Sequence, residues 1–180
     1  YPGADQHPDD DEAWVTVATT RPETYLGDTG VAISPKAPRA EALRGLKIEL
    51  PLVGRVLPIV EDDYVVLPVS MGGPEGDPKA EFATGFLKVT PAHDTNDWEI
   101  GQRHGLPAIN VMAPAASISA DYGREAYAGR TGDRVFIGLS REDARKKVIK
   151  EFQAHAINSQ PLLEDIKPYR HSVGHSYRSH

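Results

Sequence analysis

The sequence predicts a mainly β protein with a few peripheral helices, an α+β class built around a β-barrel core. Three observations support this prediction. The apolar runs are short and rich in β-branched residues, glycine and proline separate them at close intervals, and only two or three segments show helical periodicity. A chain of 180 residues is long enough to bury one sizeable core, so we expect a single domain over residues 1–180.

The first half of the chain is predicted to consist mostly of strands. Residues 1–12 are acidic and contain proline and glycine, which is typical of a frayed end followed by a loop. Residues 13–19 alternate between apolar and polar side chains and predict a strand. Pro22 favours a short helical turn, and Gly27 is expected to end it in the left-handed conformation. Further strands are predicted at 30–34, within 47–60, at 64–69 and at 82–90, and a short helix at 36–44.

The second half contains the clearest helical signals. Residues 70–80 hold three glycines and two prolines, which predicts a flexible hairpin loop. Asp94 is expected to cap a compact helix, with Trp98 and Ile100 on its apolar side, that Gly105 ends. Another strand is predicted at 106–112, and the clearest helix at 140–155, capped by Ser140. Residues 161–180 are expected to be extended.

Composition excludes several classes of protein. The chain has no cysteine, which excludes disulfides and thiolate–zinc sites and fits a reducing compartment, so we expect a cytoplasmic location. No apolar run approaches the roughly 18–20 residues that a membrane span needs. The net charge of −6 comes largely from the first twelve residues, and the chain after residue 130 is mildly basic. That surplus is too weak to indicate duplex binding but permits contact with a few phosphates. Because the first residue is Tyr1, we expect an excised or processed piece.

Two aspartates mark the most informative stretch, residues 88–107. Asp94 and Asp97 lie three residues apart, so both project from one face of the first helical turn. Spacing alone favours a helix cap followed by an acid that suits the helix dipole. The alternative is a small acidic pocket that holds an ammonium group, because Lys88 and Thr90 alternate on the preceding strand and point to the same side.

Other patterns offer weaker alternatives. The triplet that begins at Asp28 spells the aspartic-protease motif, but a single copy requires a dimer and such short matches are often false. His171 and His175 are spaced as a metal pair on a helix, which Gly174 argues against. His93 suits either acid–base chemistry or a structural hydrogen bond. The sequence contains no nucleophile elbow and no glycine-rich phosphate loop.

Two long motifs together resemble a known family. The stretch ATTRPETYLGDTGVAI at residues 18–33, followed by TGFLKVTPAHDTNDWEIGQRHGLP at 84–107, is similar to the editing domain inserted in valyl-tRNA synthetases, which are class I enzymes. The resemblance covers nearly the whole chain, and it implies a closed six-stranded type of β-barrel. It also implies that residues 161–180 lead back towards a catalytic domain.

The resemblance implies a hydrolytic function. Valine and threonine are nearly isosteric, and a hydrophobic pocket rejects the added hydroxyl only weakly, for which this family is the usual example. A second site then hydrolyses the ester of threonine mischarged on valine tRNA. The implied partners are the 3′ acceptor end of that tRNA and the rest of the synthetase, in a monomer without membrane contact. No cofactor is expected in this domain, because ATP and magnesium belong to the catalytic domain.

The resemblance further implies roles for individual residues. Asp94 is expected to hold the α-ammonium, and Asp97 to recognise the threonine hydroxyl or orient water. Lys88 and Thr90 are expected to line the pocket as polar groups and to form the catalytic set together with Asp97. The residues expected to contact the terminal adenosine and the ester are Thr19, Thr20, Arg21 and Phe82, with His93 as a further candidate. Two rival hypotheses remain open: a module that only binds the acceptor end, and a dimeric aspartic protease that uses Asp28.

Overall fold

A mixed four-stranded sheet forms the centre of the protein. The computed structural model describes residues 14–119, 133–157 and 160–168. The strands are β1 (Gly30–Ile33), β2 (Lys47–Glu49), β3 (Val56–Glu61) and β4 (Phe86–Val89), in the order β2-β3-β1-β4. Strand β1 runs parallel to β3 and antiparallel to β4, and β2 pairs antiparallel with β3. Two short strands, β5 (Ala156–Ile157) and β6 (Gln160–Pro161), form a separate hairpin.

The prediction of a closed six-stranded barrel is not confirmed, although the α+β class is. Within the described ranges the sheet is open, because its edge strands β2 and β4 do not pair with each other. Three segments predicted as strands, 14–19, 64–69 and 106–112, join no ladder. An open sheet with β4 at its edge leaves the end of that strand accessible to the helix that follows it.

Local hydrogen bonds explain why two of those segments are not strands. The amide of Tyr64 donates to the carboxylate of Asp62 in a turn, and Pro68 has no amide to donate. In the other segment the amide of Val111 donates to the ring of His93 and the amide of Met112 to Asn110 Oδ1, so the pairing is limited to an isolated antiparallel bridge between Met112 and Ile118. Residues 14–19 belong to no helix or strand, and Ala13 lies outside the described residues.

Short local elements follow the sequence more closely. A 3₁₀ turn at Pro22–Gly27, called the Pro22 turn below, forms where it was predicted. Gly27 ends it without a left-handed conformation. A side chain there would instead bring Cβ within 2.9 Å of the carbonyl oxygen of Ile109, so the glycine permits a close backbone approach. The helix predicted at 36–44 is only the single turn α1 (Ala40–Leu43).

The predicted loop at 70–80 contains more structure than expected. A 3₁₀ turn at Val69–Met71 precedes helix α2 (Pro78–Phe82), which the side chain of Asp77 caps. The strand predicted at 82–90 is therefore shorter and begins only at Phe86. The predicted bend before it is confirmed, because Gly85 has a φ of 87°.

Both predicted longer helices are confirmed. Helix α3 (Thr95–His104) begins after Asp94 and ends at Gly105 in the left-handed conformation. Ile100 is buried as expected, whereas Trp98 is 47% exposed and does not belong to an apolar side. Helix α4 (Arg141–Ala154) begins after Ser140, whose hydroxyl accepts the amide of Asp143.

The core joins α4 to the Pro22 turn. The largest apolar cluster contains Tyr25 and Leu26 from that turn and Ala144 and Val148 from α4. The ring of Phe152 meets that of Tyr25 edge to face at 4.9 Å. A second cluster packs Ile100 of α3 with Val89 of β4 and so fixes the helix against the edge of the sheet. Among the described helices, none has both the length and the apolar character to cross a bilayer.

Candidate functional site

The corner between β4 and α3 presents the first of the two predicted aspartates at the surface. Asp94 is exposed, and its Oδ1 caps α3 by accepting the amides of Asn96 at 2.8 Å and Asp97 at 3.2 Å. Its Oδ2 accepts no hydrogen bond from the described residues. A Cβ on Gly101 would lie 2.9 Å from Cγ of Pro91, so this glycine allows α3 to lie close to the corner. The cap therefore uses only one of the two oxygens of Asp94.

Asp97 is the buried acid of the same turn. Its side chain sits on the inner face of α3, and its Oδ2 accepts the amide of Thr90 at 2.8 Å. Burial raises the pKa of Asp97 to about 6, although the amide of Thr90 and the charge of Lys88 oppose that rise. Oδ1 accepts no hydrogen bond from the part of the chain that the structure describes. A carboxylate with a pKa near 6 is well suited to accept a proton at neutral pH.

A buried network lies beneath Asp97. Lys88 Nζ donates to Thr24 Oγ1 at 3.1 Å, Asp28 Oδ1 at 3.0 Å and Thr90 Oγ1 at 2.5 Å. These three bonds use all three donors of the ammonium group. The hydroxyl of Thr90 in turn donates to Asp28 Oδ1. The sequence thus brings Lys88 and Thr90 together as predicted, but both bond to neighbouring protein groups.

Asp28 is part of this network and not of an accessible acid pair. Its side chain is 1% exposed and forms an ion pair with Lys88. Burial raises the pKa of Asp28, against the opposing effects of Lys88 and Thr90. An aspartic protease needs two carboxylates that share a proton and reach the substrate. The environment of Asp28 therefore argues against the protease hypothesis.

A hydrogen bond joins Arg21 of the first motif to the residue before Asp94. Arg21 Nη1 donates to the carbonyl oxygen of His93 at 2.9 Å, and the amide of Arg21 donates to Thr19 Oγ1 at 3.1 Å. Thr19 and Thr20 are both exposed beside it. The arginine and the Asp94 corner are consequently neighbours, as expected from the resemblance.

His93 has a structural bond of its own. Its Nε2 accepts the amide of Val111 at 3.1 Å, which requires that nitrogen to be unprotonated. Burial, and then the nearby charges of Arg21 and Lys88, lower the pKa of His93 to about 4. The imidazole is therefore neutral near pH 7 and holds the segment after α3 against the corner.

A shallow surface depression adjoins the exposed aspartate. Its floor and rim come from the corner and from the first turns of α3. The residues that line it are Pro91, Ala92, His93, Asp94, Thr95 and Trp98. Sequence reasoning did not identify Trp98 as a surface residue, because its spacing from Ile100 resembled part of an apolar side.

The other predicted residues are Phe82 and the two C-terminal histidines. Phe82 is half-buried at the end of α2. His171 and His175 lie outside the described residues, and no group of three possible metal ligands occurs within the described ones.

Sequence reasoning also missed one buried ion pair. Glu23 of the Pro22 turn is paired with Arg145 of α4, 122 residues further along the chain. The only sequence signal for it is an acidic residue within an otherwise uncharged turn. Nothing in the spacing of the chain could have identified its partner.

Comparison with known proteins gives a consistent result. No protein-family model matches the chain. The chain is 39% identical over 169 residues to the valine–tRNA ligase of Bacteroides fragilis and 43% identical over 169 residues to that of Thermotoga maritima. It is 39% identical over 170 residues to the valine–tRNA ligase of Bacillus cereus. Each match covers 94% of the chain but only 16% of the relative, so the chain spans about a sixth of the length of these proteins.

Proposed function

The chain belongs to the valine–tRNA ligase family, as a segment of about 16% of a member's length, and we propose that this segment edits mischarged tRNA. The reaction is hydrolysis of the ester that joins threonine to the 3′ end of valine tRNA. One observation carries the proposal. Asp94 and Asp97 share one helical turn beside Arg21, and each retains an oxygen that no described residue occupies.

Asp94 is suited to recognise the amino group of the substrate. An aminoacyl ester carries an α-ammonium group at neutral pH, and an exposed carboxylate forms a charge-assisted hydrogen bond with it. Because the cap occupies Oδ1, we assign Oδ2 of Asp94 to this contact. The amides that hold Oδ1 also fix the direction of Oδ2, so the carboxylate is ordered before the substrate arrives.

Asp97 is suited to activate water or to recognise the threonine hydroxyl. As a base, its ionised carboxylate takes a proton from water while the water oxygen attacks the ester carbonyl. The proton then passes to the departing ribose oxygen, which leaves free threonine and a tRNA with a free hydroxyl. A site that hydrogen-bonds the threonine hydroxyl also disfavours valine, because valine leaves those polar groups unpaired.

Lys88 and Thr90 support Asp97 from below. The donors of Lys88 are all used within the protein, so we assign it to positioning and not to direct contact with substrate. Its positive charge opposes the rise in the pKa of Asp97 and so favours the ionised form. The amide of Thr90 holds Oδ2 and leaves Oδ1 for water or substrate.

The nucleotide end of the substrate is assigned to the other motif. The exposed side chains of Thr19, Thr20 and Arg21 offer donors to the terminal ribose and phosphate. Phe82 offers a ring on which the terminal adenine could stack, an interaction worth roughly 1–3 kcal/mol per base. The rest of the tRNA is expected to contact other parts of the ligase, since this segment has a net charge of −6.

Several wider properties follow from the same proposal. Aminoacylation, with its need for ATP and magnesium, belongs to the rest of the ligase, and no cofactor is proposed for this segment. We also expect a monomer in the cytoplasm that contacts no membrane.

A full-length valine–tRNA ligase that carries this segment provides the test. Incubated with threonine mischarged on valine tRNA, it should release threonine, and Asp94→Ala should make threonyl-tRNA accumulate. Valine on the same tRNA is the control and should be spared. Binding without release of threonine would instead favour a module that only docks the acceptor end.

A further inference from the structure

We propose that helix α4 is part of the framework of the site, because the ion pair between buried Glu23 and half-exposed Arg145 positions Arg21 at the Asp94 corner. What Arg21 is positioned for rests on the proposed function, whereas the positioning itself does not. Glu23 and Arg145 are positioning residues in this proposal, and neither is expected to touch the substrate.

Arg145 and Glu23 form a bidentate ion pair, which we call the clamp. Arg145 Nε donates to Glu23 Oε2 at 2.8 Å, and Nη2 donates to Oε1 at 2.9 Å. The side chain of Glu23 is 1% exposed, whereas that of Arg145 is 45% exposed. Parallel bonds from a planar guanidinium fix the orientation of a carboxylate as well as its distance.

The Pro22 turn is held from several directions. Thr24 and Asp28 bond to Lys88 on the sheet side, and Tyr25 packs against Phe152 on the α4 side. The Glu23–Arg145 pair adds the only described ion pair between this turn and α4. The turn therefore lies between β4 and α4, and both must be in place to fix it.

A clamp is needed because the turn itself is weak. It contains only six residues of 3₁₀ helix, a conformation with poor hydrogen-bond geometry. Arg21, which caps it, makes no side-chain cap bond, and its guanidinium reaches His93 from this turn. A change in the direction of the turn would thus move Arg21 away from the carbonyl of His93.

An ion pair with one buried and one half-exposed partner is weak support for stability alone. Its desolvation cost offsets much of its attraction, so apolar residues often serve a core equally well. The role we assign to the buried glutamate is therefore orientation of the turn. The two bonds of the pair fix one orientation of the turn relative to α4. Apolar packing between Tyr25 and Phe152 is less directional and allows a wider range of orientations.

The ring of His93 reports the position of Arg21 without any need for activity. Three charged groups act on it: Arg21 and Lys88 lower its pKa, and Glu23 raises it. Replacing Glu23 with a neutral residue removes a charge that raises the pKa, so that change alone lowers the pKa of His93. Withdrawal of Arg21 would raise it. The sign of the observed shift therefore distinguishes a direct electrostatic effect from movement of the turn.

The experiment is an NMR titration of His93 in the 180-residue chain, assigned with His93→Gln. Glu23→Ala should raise the pKa of His93 above its parent value of about 4, although burial of the ring still holds it below 6.5. Arg145→Lys retains the positive charge but cannot form both bonds to Glu23, so it should raise the pKa less. The matched control is Lys146→Ala, which removes an exposed charge from the adjacent position of α4 and should leave the titration unchanged. An unchanged or lower pKa in both clamp variants would overturn the proposal.

A second measurement separates this proposal from the proposed function. In the full-length ligase, Arg145→Lys should weaken threonyl-tRNA hydrolysis mainly through KM, about threefold to tenfold, because Arg21 is placed on the nucleotide. If the titration shifts as expected while the parent ligase releases no threonine, the clamp stands and the editing proposal fails. Should Glu23→Ala fail to give the dispersed spectrum of a folded protein, Arg145→Lys alone decides the outcome.

Discussion

Arg21 and His93, 72 residues apart in the chain, are joined by a hydrogen bond of 2.9 Å between Nη1 and the backbone carbonyl oxygen. This bond connects the cap of the Pro22 turn to the residue that precedes Asp94. It places a guanidinium, a threonine-rich surface and two carboxylates around one corner of the sheet. The acceptor is a backbone atom, so the contact constrains the path of the chain at position 93 and not the type of side chain.

The first prediction concerns Asp97. If its carboxylate acts as a base, hydrolysis of threonyl-tRNA should rise with pH through about 6, where the group ionises. Asp97→Asn should lower kcat by roughly 10²–10⁴-fold, the usual contribution of a general base, and should remove that inflection. The measurement is a pH–rate profile of the full-length ligase. Glu99 is an exposed acid on the same helix, so Glu99→Gln is the control and should retain both the parent kcat and the inflection near pH 6.

The second prediction separates the two roles of Asp94. Asp94→Ala loses the cap as well as the charge, and loss of a helix cap typically costs about 1 kcal/mol of unfolding free energy. Asp94→Ser keeps a capping oxygen but loses the charge, so it should restore the stability without restoring hydrolysis. Denaturant unfolding and steady-state kinetics on both variants test this. Full activity in Asp94→Ser would contradict ammonium recognition by this carboxylate.

The third prediction concerns stability and pH. The pKa of His93 is lowered in the folded state, from 6.5 to about 4, so the folded protein binds fewer protons between these values. Its contribution to stability is complete above pH 6.5 and is lost as the pH falls towards 4. The physical cause is burial of the ring, which disfavours its charged form in the folded protein, so in this pH range protons bind preferentially to the unfolded chain.

Asp97 acts in the opposite direction over part of the same range. Its pKa is raised in the folded state, from 3.8 to about 6, so its contribution is complete below pH 3.8 and is lost as the pH rises through 6. Denaturant unfolding between pH 4 and 7 should therefore show a steeper increase of stability with pH in Asp97→Asn than in the parent. In His93→Gln the increase should be shallower. If the unfolding free energy changes with pH at the same slope in all three proteins, the shifted pKa values of His93 and Asp97 are both ruled out.

The fourth prediction concerns the network beneath the site. Lys88→Met leaves the buried carboxylate of Asp28 without its cationic partner. Breaking a buried ion pair in this way lowers the free energy of unfolding by roughly 3–5 kcal/mol. Adding Asp28→Asn should recover part of the lost unfolding free energy, because the double variant no longer buries an unpaired charge. Lys147→Met, which removes a partly exposed pair with Glu151, is the control, and surface pairs contribute roughly 0–1 kcal/mol. Equal losses for Lys88→Met and Lys147→Met would show that the network contributes little.

Helix limits were readable from the sequence because their signals are local. Asp94 and Gly105 mark the two ends of α3, and Ser140 marks the start of α4, through bonds between residues a few positions apart. The strands were less predictable. Residues 64–69 and 106–112 have the composition of strands, but the amides of Tyr64 and Val111 bond to side chains, and composition does not reveal such competition.

The sequence by itself determined the family, the ends of both long helices and the motifs that hold Asp94, Asp97 and Arg21, because these depend on residue type and short spacing. Only the tertiary structure decided how those residues are used. It left one oxygen of each aspartate without a hydrogen bond from the described residues, used all three donors of Lys88 within the protein and paired Glu23 with Arg145. Those outcomes depend on burial and on contacts between distant segments, which fix the pKa of a carboxylate and the partners of a charge only once the chain is folded.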